Sequence, residues 1–300
     1  MSYIIKKSMK EYKIHENIVS YSFLTPSLII LTIFLFIPII CSLGLMFYDW
    51  EITSLPKYVG LKNFEKLLND ELFHKAIFNT IYFVVGSVPL SVFPALSLAW
   101  IFNQKWFRGG WFFEAVYFIP VVCGWVEVAM IWRFLLDSKF GLINYILEIF
   151  GLPGQKWLVD PNIVMISIIL VHAWKLIGYN TIIFHSALSS IPLMYYEAAE
   201  LDGASPIQTF RHVIIPLLVP ILFFVLTINT IWSFYVFPQV YVLTQGGPSY
   251  ASYTIVFYLY YYAFKHYKMS YAAAVSIVLF ALISIFTYVQ RRIFAEEVKY

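Results

Sequence analysis

The sequence predicts an all-α integral membrane protein with six transmembrane helices. Of its 300 residues, 61% are hydrophobic and only 12% are charged, whereas a water-soluble domain carries about 25% charged residues. The mean hydropathy of +0.75 indicates a chain whose surplus apolar surface faces lipid. The net charge of +3 is spread along the chain without a basic block, so we expect no nucleic-acid partner.

Six apolar stretches define the expected spans. A helix needs about 20 mostly apolar residues to cross a bilayer, and five stretches meet this length plainly: 22–48, 78–102, 111–135, 163–188 and 270–290. A sixth, 214–237, meets it with several polar residues inside. The tyrosine-rich stretch 253–264 is too short to cross and predicts a helix at the water interface, with its hydroxyls in water. Residues 22–292 therefore form one membrane domain.

The positions of lysine and arginine predict the orientation. An even number of spans places both termini on one side, and short cytoplasmic loops are enriched in these residues. Lys105 and Arg108 lie in one tight connection, Arg211 lies in another, and Arg291 and Arg292 close the last span. With the lysines near the N-terminus, they predict that residues 1–21 and 293–300 are cytoplasmic, although the opposite loops also carry lysines.

The loop between spans four and five, residues 191–216, has the most specific local pattern. A short helix is expected from about Leu193 to Asp202, and Gly203 would stop it in a left-handed conformation. Ser205 can cap a second short helix with Pro206 at its first position, and Gln208 completes a capping box. A loop specified this closely suggests a rigid docking element.

This loop resembles the EAA loop of ABC importer permeases. The pattern there is E-A-A, three residues, G, nine residues and I-x-L-P, with Val213 and Ile215 standing in for the I and L. The resemblance implies a type I importer permease (MetI-like) fold and a helix that fits a groove on a separate ATPase. The residues implied in this coupling are Glu197, Ala198, Ala199, Leu201, Asp202, Gly203, Ala204 and Pro216.

Further segments are similar to the carbohydrate-uptake branch, which includes permeases for maltose, lactose, raffinose and glycerol phosphate. They are GLKNF at 60–64, WKLIGYNTIIFHSALSSI at 174–191 and VLTQGGP at 242–248. The resemblance implies four kinds of partner in a prokaryotic cytoplasmic membrane: a second homologous permease, an ATPase dimer, an extracellular solute-binding protein and a carbohydrate substrate. ATP and magnesium would belong to the ATPase.

Polar groups inside the spans are candidates for a substrate path. Charges in hydrocarbon cost at least about 2.5 kcal/mol each, and Glu127 and Lys175 are placed at similar depth, so they are expected to form an ion pair that is structural rather than substrate-binding. Hydrogen-bonding and aromatic side chains near the middle of spans four and five suit a sugar, and the candidates are Trp174, Tyr179, Asn180, Asn229, Trp232 and Tyr235.

Other functions are less well supported. The sequence contains no phosphate-binding loop and no catalytic motif, so no enzymatic activity is expected of this chain alone. His172 and His185 lack a second ligand at zinc spacing and are interpreted as packing residues. A secondary transporter driven by an ion gradient would need carboxylates near the midplane, of which Glu127 is the one candidate, and it would not require the cytoplasmic loop.

Overall fold

A computed structural model describes Asn17 and residues 19–51, 55–104, 107 and 109–295. In chain order the elements are α1 (Val19–Leu45), the short strands β1 (Tyr48–Asp49) and β2 (Lys57–Tyr58), α2 (Lys62–Leu68), α3 (Glu71–Phe102), α4 (Gly110–Val122), α5 (Trp125–Leu135), α6 (Leu142–Ile149), α7 (Val164–Ser189), α8 (Leu193–Leu201), α9 (Pro206–Phe234), α10 (Pro238–Leu243), α11 (Ile255–Tyr260) and α12 (Met269–Ala295). Lys105 and Arg108, used above for orientation, lie outside the described residues, as do the lysines near the N-terminus.

Five of these helices are long and apolar enough to cross a bilayer, namely α1, α3, α7, α9 and α12. They cover five of the six predicted stretches, with shifted ends. Helix α3 begins at Glu71 rather than at 78. Asp70 accepts hydrogen bonds from the backbone N–H groups of Leu72 and Phe73 and so caps the helix about two turns earlier. Helix α1 ends at Leu45, short of the predicted 48.

The third predicted span, 111–135, is not one helix. Helices α4 and α5 meet at an angle of 107°. Cys123 and Gly124 between them have extended backbone conformations, and Pro120 lies in the last turn of α4. Proline removes a backbone donor from the last turn of α4, and the two extended residues that follow separate α4 from α5. A count of apolar residues does not register such a break.

The core is a packed group of α3, α7 and α9. Helices α3 and α7 run side by side, α9 packs on both, and α12 lies antiparallel to α9, with Phe294 against Phe223 and Phe286 against Phe234. Helix α4 approaches α7 so closely at Gly178 that the Tyr117 carbonyl leaves no room for a side chain there. Small residues allow this backbone approach between membrane helices.

Helix α1 stands at the edge of this group. None of its apolar window is buried within the chain, and it contacts mainly α12. An apolar helix exposed on nearly every side must be covered by lipid or by another protein.

The tyrosine-rich stretch is folded into the protein. Tyr258 of α11 is fully buried and donates a hydrogen bond to the Asp70 carboxylate at 2.7 Å, and Tyr271 of α12 adds a longer one at 3.3 Å. The expectation that these hydroxyls lie in water is therefore wrong for Tyr258. Burial acts to raise the pKa of Asp70, but hydrogen bonds from Tyr258, Phe73 and Leu72 outweigh it and lower that pKa below its usual 3.8.

Candidate functional sites

The loop after α7 begins with α8. Two backbone hydrogen bonds cap the C-terminal end of α8. The N–H of Ala204 bonds to the carbonyl of Ala199 at 2.9 Å, and the N–H of Gly203 bonds to the carbonyl of Glu200 at 3.0 Å. Gly203 has a φ of +75°. This is a Schellman motif, in which glycine takes the left-handed position, so the predicted stop at Gly203 is confirmed.

The predicted capping box is also present. The Gln208 N–H donates to Ser205 Oγ at 3.4 Å, and the Ser205 N–H donates to Gln208 Oε1 at 2.8 Å. The second short helix is not a separate element, however, since it runs through a π-helical turn at Phe210–Ile214 into the transmembrane part of α9. Pro216 has no N–H to continue the α-helical pattern, which explains a wider turn just before it.

The surface of this loop is partly apolar. Ala199 is buried against the rest of the chain, whereas Glu197, Ala198, Asp202 and Gly203 are exposed. Leu201 and Ile207 are 88% and 70% exposed. Exposed leucine and isoleucine on a loop with so little conformational freedom are typical of a protein docking surface.

A second site is a cavity of about 510 Å³ beside the break between α4 and α5. Tyr179 of α7, Trp232 of α9 and Tyr235 directly after α9 line it. The rings of Tyr179 and Trp232 lie 5.1 Å apart. Non-helical backbone at membrane depth is tolerated where it lines a cavity, and discontinuous helices often mark solute sites. We refer to this space as the break cavity.

Three of the predicted path residues lie elsewhere. Asn180 and Asn229 are fully buried and exchange two hydrogen bonds of 2.9 and 3.0 Å, and Ser91 of α3 donates to Asn229 at 3.1 Å. Their amides are used up between helices and do not line the break cavity. Trp174 packs edge-on against Trp132, also outside it. Whether a residue faces the cavity or a neighbouring helix depends on how its own helix is rotated about its axis. Residue type alone does not determine that rotation.

The expected ion pair between Glu127 and Lys175 is absent among the described residues. The Lys175 ammonium instead donates to the Cys123 carbonyl at the C-terminal end of α4 and lies 4.5 Å from the Trp125 ring centroid. Glu127 lies in the first turn of α5. The positive Lys175 therefore lies at the C-terminal end of α4, which carries a partial negative charge, and the negative Glu127 lies at the N-terminal end of α5, which carries a partial positive charge.

Sequence reasoning missed Gln239 and assigned His172 only a packing role. The His172 ring stacks on Trp125 at 4.9 Å, and Gln239 Nε2 donates to His172 Nδ1 at 3.0 Å. Gln239 Oε1 is buried and has no hydrogen-bond partner among the described residues. Both side chains line the break cavity. A glutamine two residues after the predicted span 214–237 was the available indication in the sequence. The described residues contain no group of three potential metal ligands.

Known proteins resemble this chain along nearly its whole length. A probable ABC transporter permease of Bacillus subtilis, YurN, is 34% identical over 93% of this chain and 97% of its own. The lactose transport permease LacF of Rhizobium radiobacter is 32% identical over 95% and 96% of the two chains, and the trehalose/maltose permease MalF of Thermococcus litoralis is 31% identical over 94% and 95%.

The fold is shared with a solved structure of a bacterial ABC transporter involved in the import of the acidic polysaccharide alginate. The TM-score is 0.83 at 24% identity, covering 96% of this chain and 99% of that one. The family described as "Binding-protein-dependent transport system inner membrane component" matches residues 12–300. This chain therefore belongs to that family of multi-pass membrane permease subunits.

Proposed function

We propose that this chain is one permease subunit of an ATP-driven importer that moves a carbohydrate across the cytoplasmic membrane by alternating access. The observation that carries the proposal is the loop at 191–216, which combines a Schellman motif, a capping box and an exposed apolar surface. Such a loop suits a groove on an ATPase. ATP and magnesium would belong to that ATPase and not to this chain. Because the ATPase would lie in the cytoplasm, the loop and both termini would face the cytoplasm.

The geometry supports a direct mechanical link between this loop and the break cavity. Four residues, 202–205, separate α8 from α9, and both ends of that corner are held by backbone bonds. Helix α9 then extends 29 residues, or about 43 Å, and carries Trp232 near its far end. ATPase closure that shifts α8 is therefore expected to move the wall of the break cavity.

The lining of the break cavity supports a carbohydrate substrate. Tyrosine hydroxyls can bond to sugar hydroxyls, while the flat rings of Trp232 and Tyr179 offer apolar contact to sugar C–H faces. The names of LacF and MalF, both sugar-transport permeases, agree with this assignment. A second permease and an extracellular binding protein would complete the assembly, and the exposed α1 offers surface for lipid or for that permease.

A secondary transporter is the less well supported alternative. Ion coupling would call for carboxylates at the cavity, whereas no Asp or Glu is among the described residues that line it. Glu127, the one candidate, is exposed and outside the lining.

Affinity purification from the native host tests the coupling site. Wild type should bring down an ATPase and a second permease, and Leu201→Asp should lose the ATPase because a carboxylate replaces an apolar docking contact. Leu68→Asp on α2 is the matched control, since Leu68 is 72% exposed on a different helix. Retention of the ATPase by Leu201→Asp would refute the docking role. Uptake by wild-type vesicles without ATP would favour the secondary transporter.

Uptake kinetics test the cavity. Trp232→Ala should raise the KM for sugar uptake, while Trp174→Ala should leave it unchanged, because the two residues are similarly exposed but only Trp232 lines the break cavity. Equal effects of the two substitutions would remove the break cavity from the path.

A further inference from the structure

The charge distribution of the break cavity points to the class of carbohydrate. Lys175 is the only charged side chain among the described residues that line it. It belongs to α7 and is 5% exposed. A cation at membrane depth is costly and is kept where it meets a partner or a solute. The described lining of the cavity therefore offers one positive charge and contains no carboxylate.

The contacts of Lys175 leave room for a ligand. A lysine ammonium has three N–H donors. One donates to the Cys123 carbonyl, and the Trp125 ring face lies 4.5 Å away. Glu127 is close enough for its charge to act on Lys175 but forms no ion pair with it. At least one N–H donor of Lys175 stays available to a ligand.

A second group in the cavity also lacks a partner. Gln239 is 2% exposed, its amide nitrogen is engaged by His172, and its oxygen Oε1 accepts no hydrogen bond from the described residues. A buried acceptor left unpaired costs about 1–3 kcal/mol, and a ligand hydroxyl would satisfy it. The aromatic pair Tyr179 and Trp232 lines the same cavity. Cation, acceptor and ring faces together match a sugar that bears an oxyanion.

We propose that the break cavity selects an anionic saccharide, with Lys175 binding its carboxylate or phosphate and Gln239 accepting from a neighbouring hydroxyl. This inference rests on the proposed carbohydrate function and adds the charge of the substrate. A charge-assisted hydrogen bond in such a site is expected to favour the anion over a neutral analogue by about 10- to 100-fold.

The test is a titration of the purified transporter complex in lipid nanodiscs, without its binding protein, followed by quenching of tryptophan fluorescence. The probes are digalacturonate, the neutral digalactose of the same linkage, and a disaccharide phosphate, so that the two oxyanions are distinguished. Wild type should bind one anionic probe about 10- to 100-fold more tightly than the neutral one. Lys175→Gln should reduce this ratio to near one, and Lys175→Arg should keep it.

Arg133→Gln is the control, because it also removes a cation from this region but Arg133 contacts the Val242 carbonyl and lies outside the lining. Its anion preference should equal that of wild type. The inference is overturned if wild type binds the neutral probe as tightly as the anionic probes, or binds none of the three. It is also overturned if Lys175→Gln retains the preference for the anion. Should Lys175→Gln not assemble, the wild-type ratio decides. Importer function is judged separately by co-purification of the ATPase.

Discussion

Replacing Gly203 by alanine should weaken ATPase binding without disturbing packing. A Cβ at this position would meet no atom within 4 Å, so there is no steric clash, but the φ of +75° is unfavourable for alanine. The left-handed conformation costs a non-glycine residue about 1–2 kcal/mol. If the strained loop leaves this geometry when the ATPase is absent, its docking-competent population should fall about 5- to 30-fold.

The assay is equilibrium binding of the purified ATPase to the permease complex, measured alongside ATP-dependent uptake. Gly203→Asn should retain most of the affinity, because asparagine tolerates the left-handed region. Gly60→Ala is the matched strain control, since Gly60 has a φ of +61°, equal free space and a place in another loop. It should lower the thermal stability and leave ATPase affinity unchanged.

Two results would refute this reasoning. Affinity of Gly203→Ala within twofold of wild type would show that the left-handed turn does not limit docking. Equal losses in Gly203→Ala and Gly60→Ala would show that general destabilisation, rather than the geometry of this loop, weakens binding.

Three more predictions concern stability in detergent. Asp70→Asn keeps an N-cap but replaces the acceptor oxygen of the tyrosine hydroxyls, so unfolding should become easier by about 1–3 kcal/mol. In wild type the lowered pKa of Asp70 stabilises the fold fully above the usual pKa of 3.8, and this stabilisation should be lost as the pH falls through the folded-state pKa. Melting temperatures measured over a pH series test this. An Asp70→Asn variant that loses the same stability in acid would contradict it. Gly178→Ala should lower the melting temperature because the facing carbonyl leaves no space, whereas Gly44→Ala, with free space around it, should not; equal shifts would refute the close approach. A double-mutant cycle of Asn180→Ala and Asn229→Ala should give a coupling of about 0.6–2 kcal/mol, and strict additivity would exclude their mutual hydrogen bonds.

Features fixed by neighbouring residues were predictable. The capping box needs only Ser205 and Gln208, and the helix stop needs only Gly203, so the sequence specifies both without tertiary information. Hydropathy likewise located the long helices, because crossing a bilayer demands a run of apolar residues whatever their neighbours are.

Features that depend on helix rotation or on a change of direction were not predictable. Residues 111–135 are mostly apolar and match the length of one span, yet the chain turns by 107° at Cys123 and Gly124. Asn229 and Trp232 are three residues apart on α9, one buried between helices and the other in the cavity wall. Counting residues along straight helices placed Lys175 at the depth of Glu127. Because the chain turns between α4 and α5, Lys175 instead lies at the C-terminal end of α4 and Glu127 lies in the first turn of α5.

Helix α9 begins at the corner after α8, carries Asn229 of the buried amide pair, and places Trp232 in the wall of the break cavity. This order constrains how the chain can move. Sliding α9 along α7 would break the bonds between Asn229 and Asn180 and leave both amides unpaired in an apolar interior, which is costly. Ser91 ties α3 to the same point. A displacement of α8 is therefore expected to rotate α3, α7 and α9 together. The widening of the break cavity would then have to come from the α4–α5 side, where the chain already turns at Cys123 and Gly124.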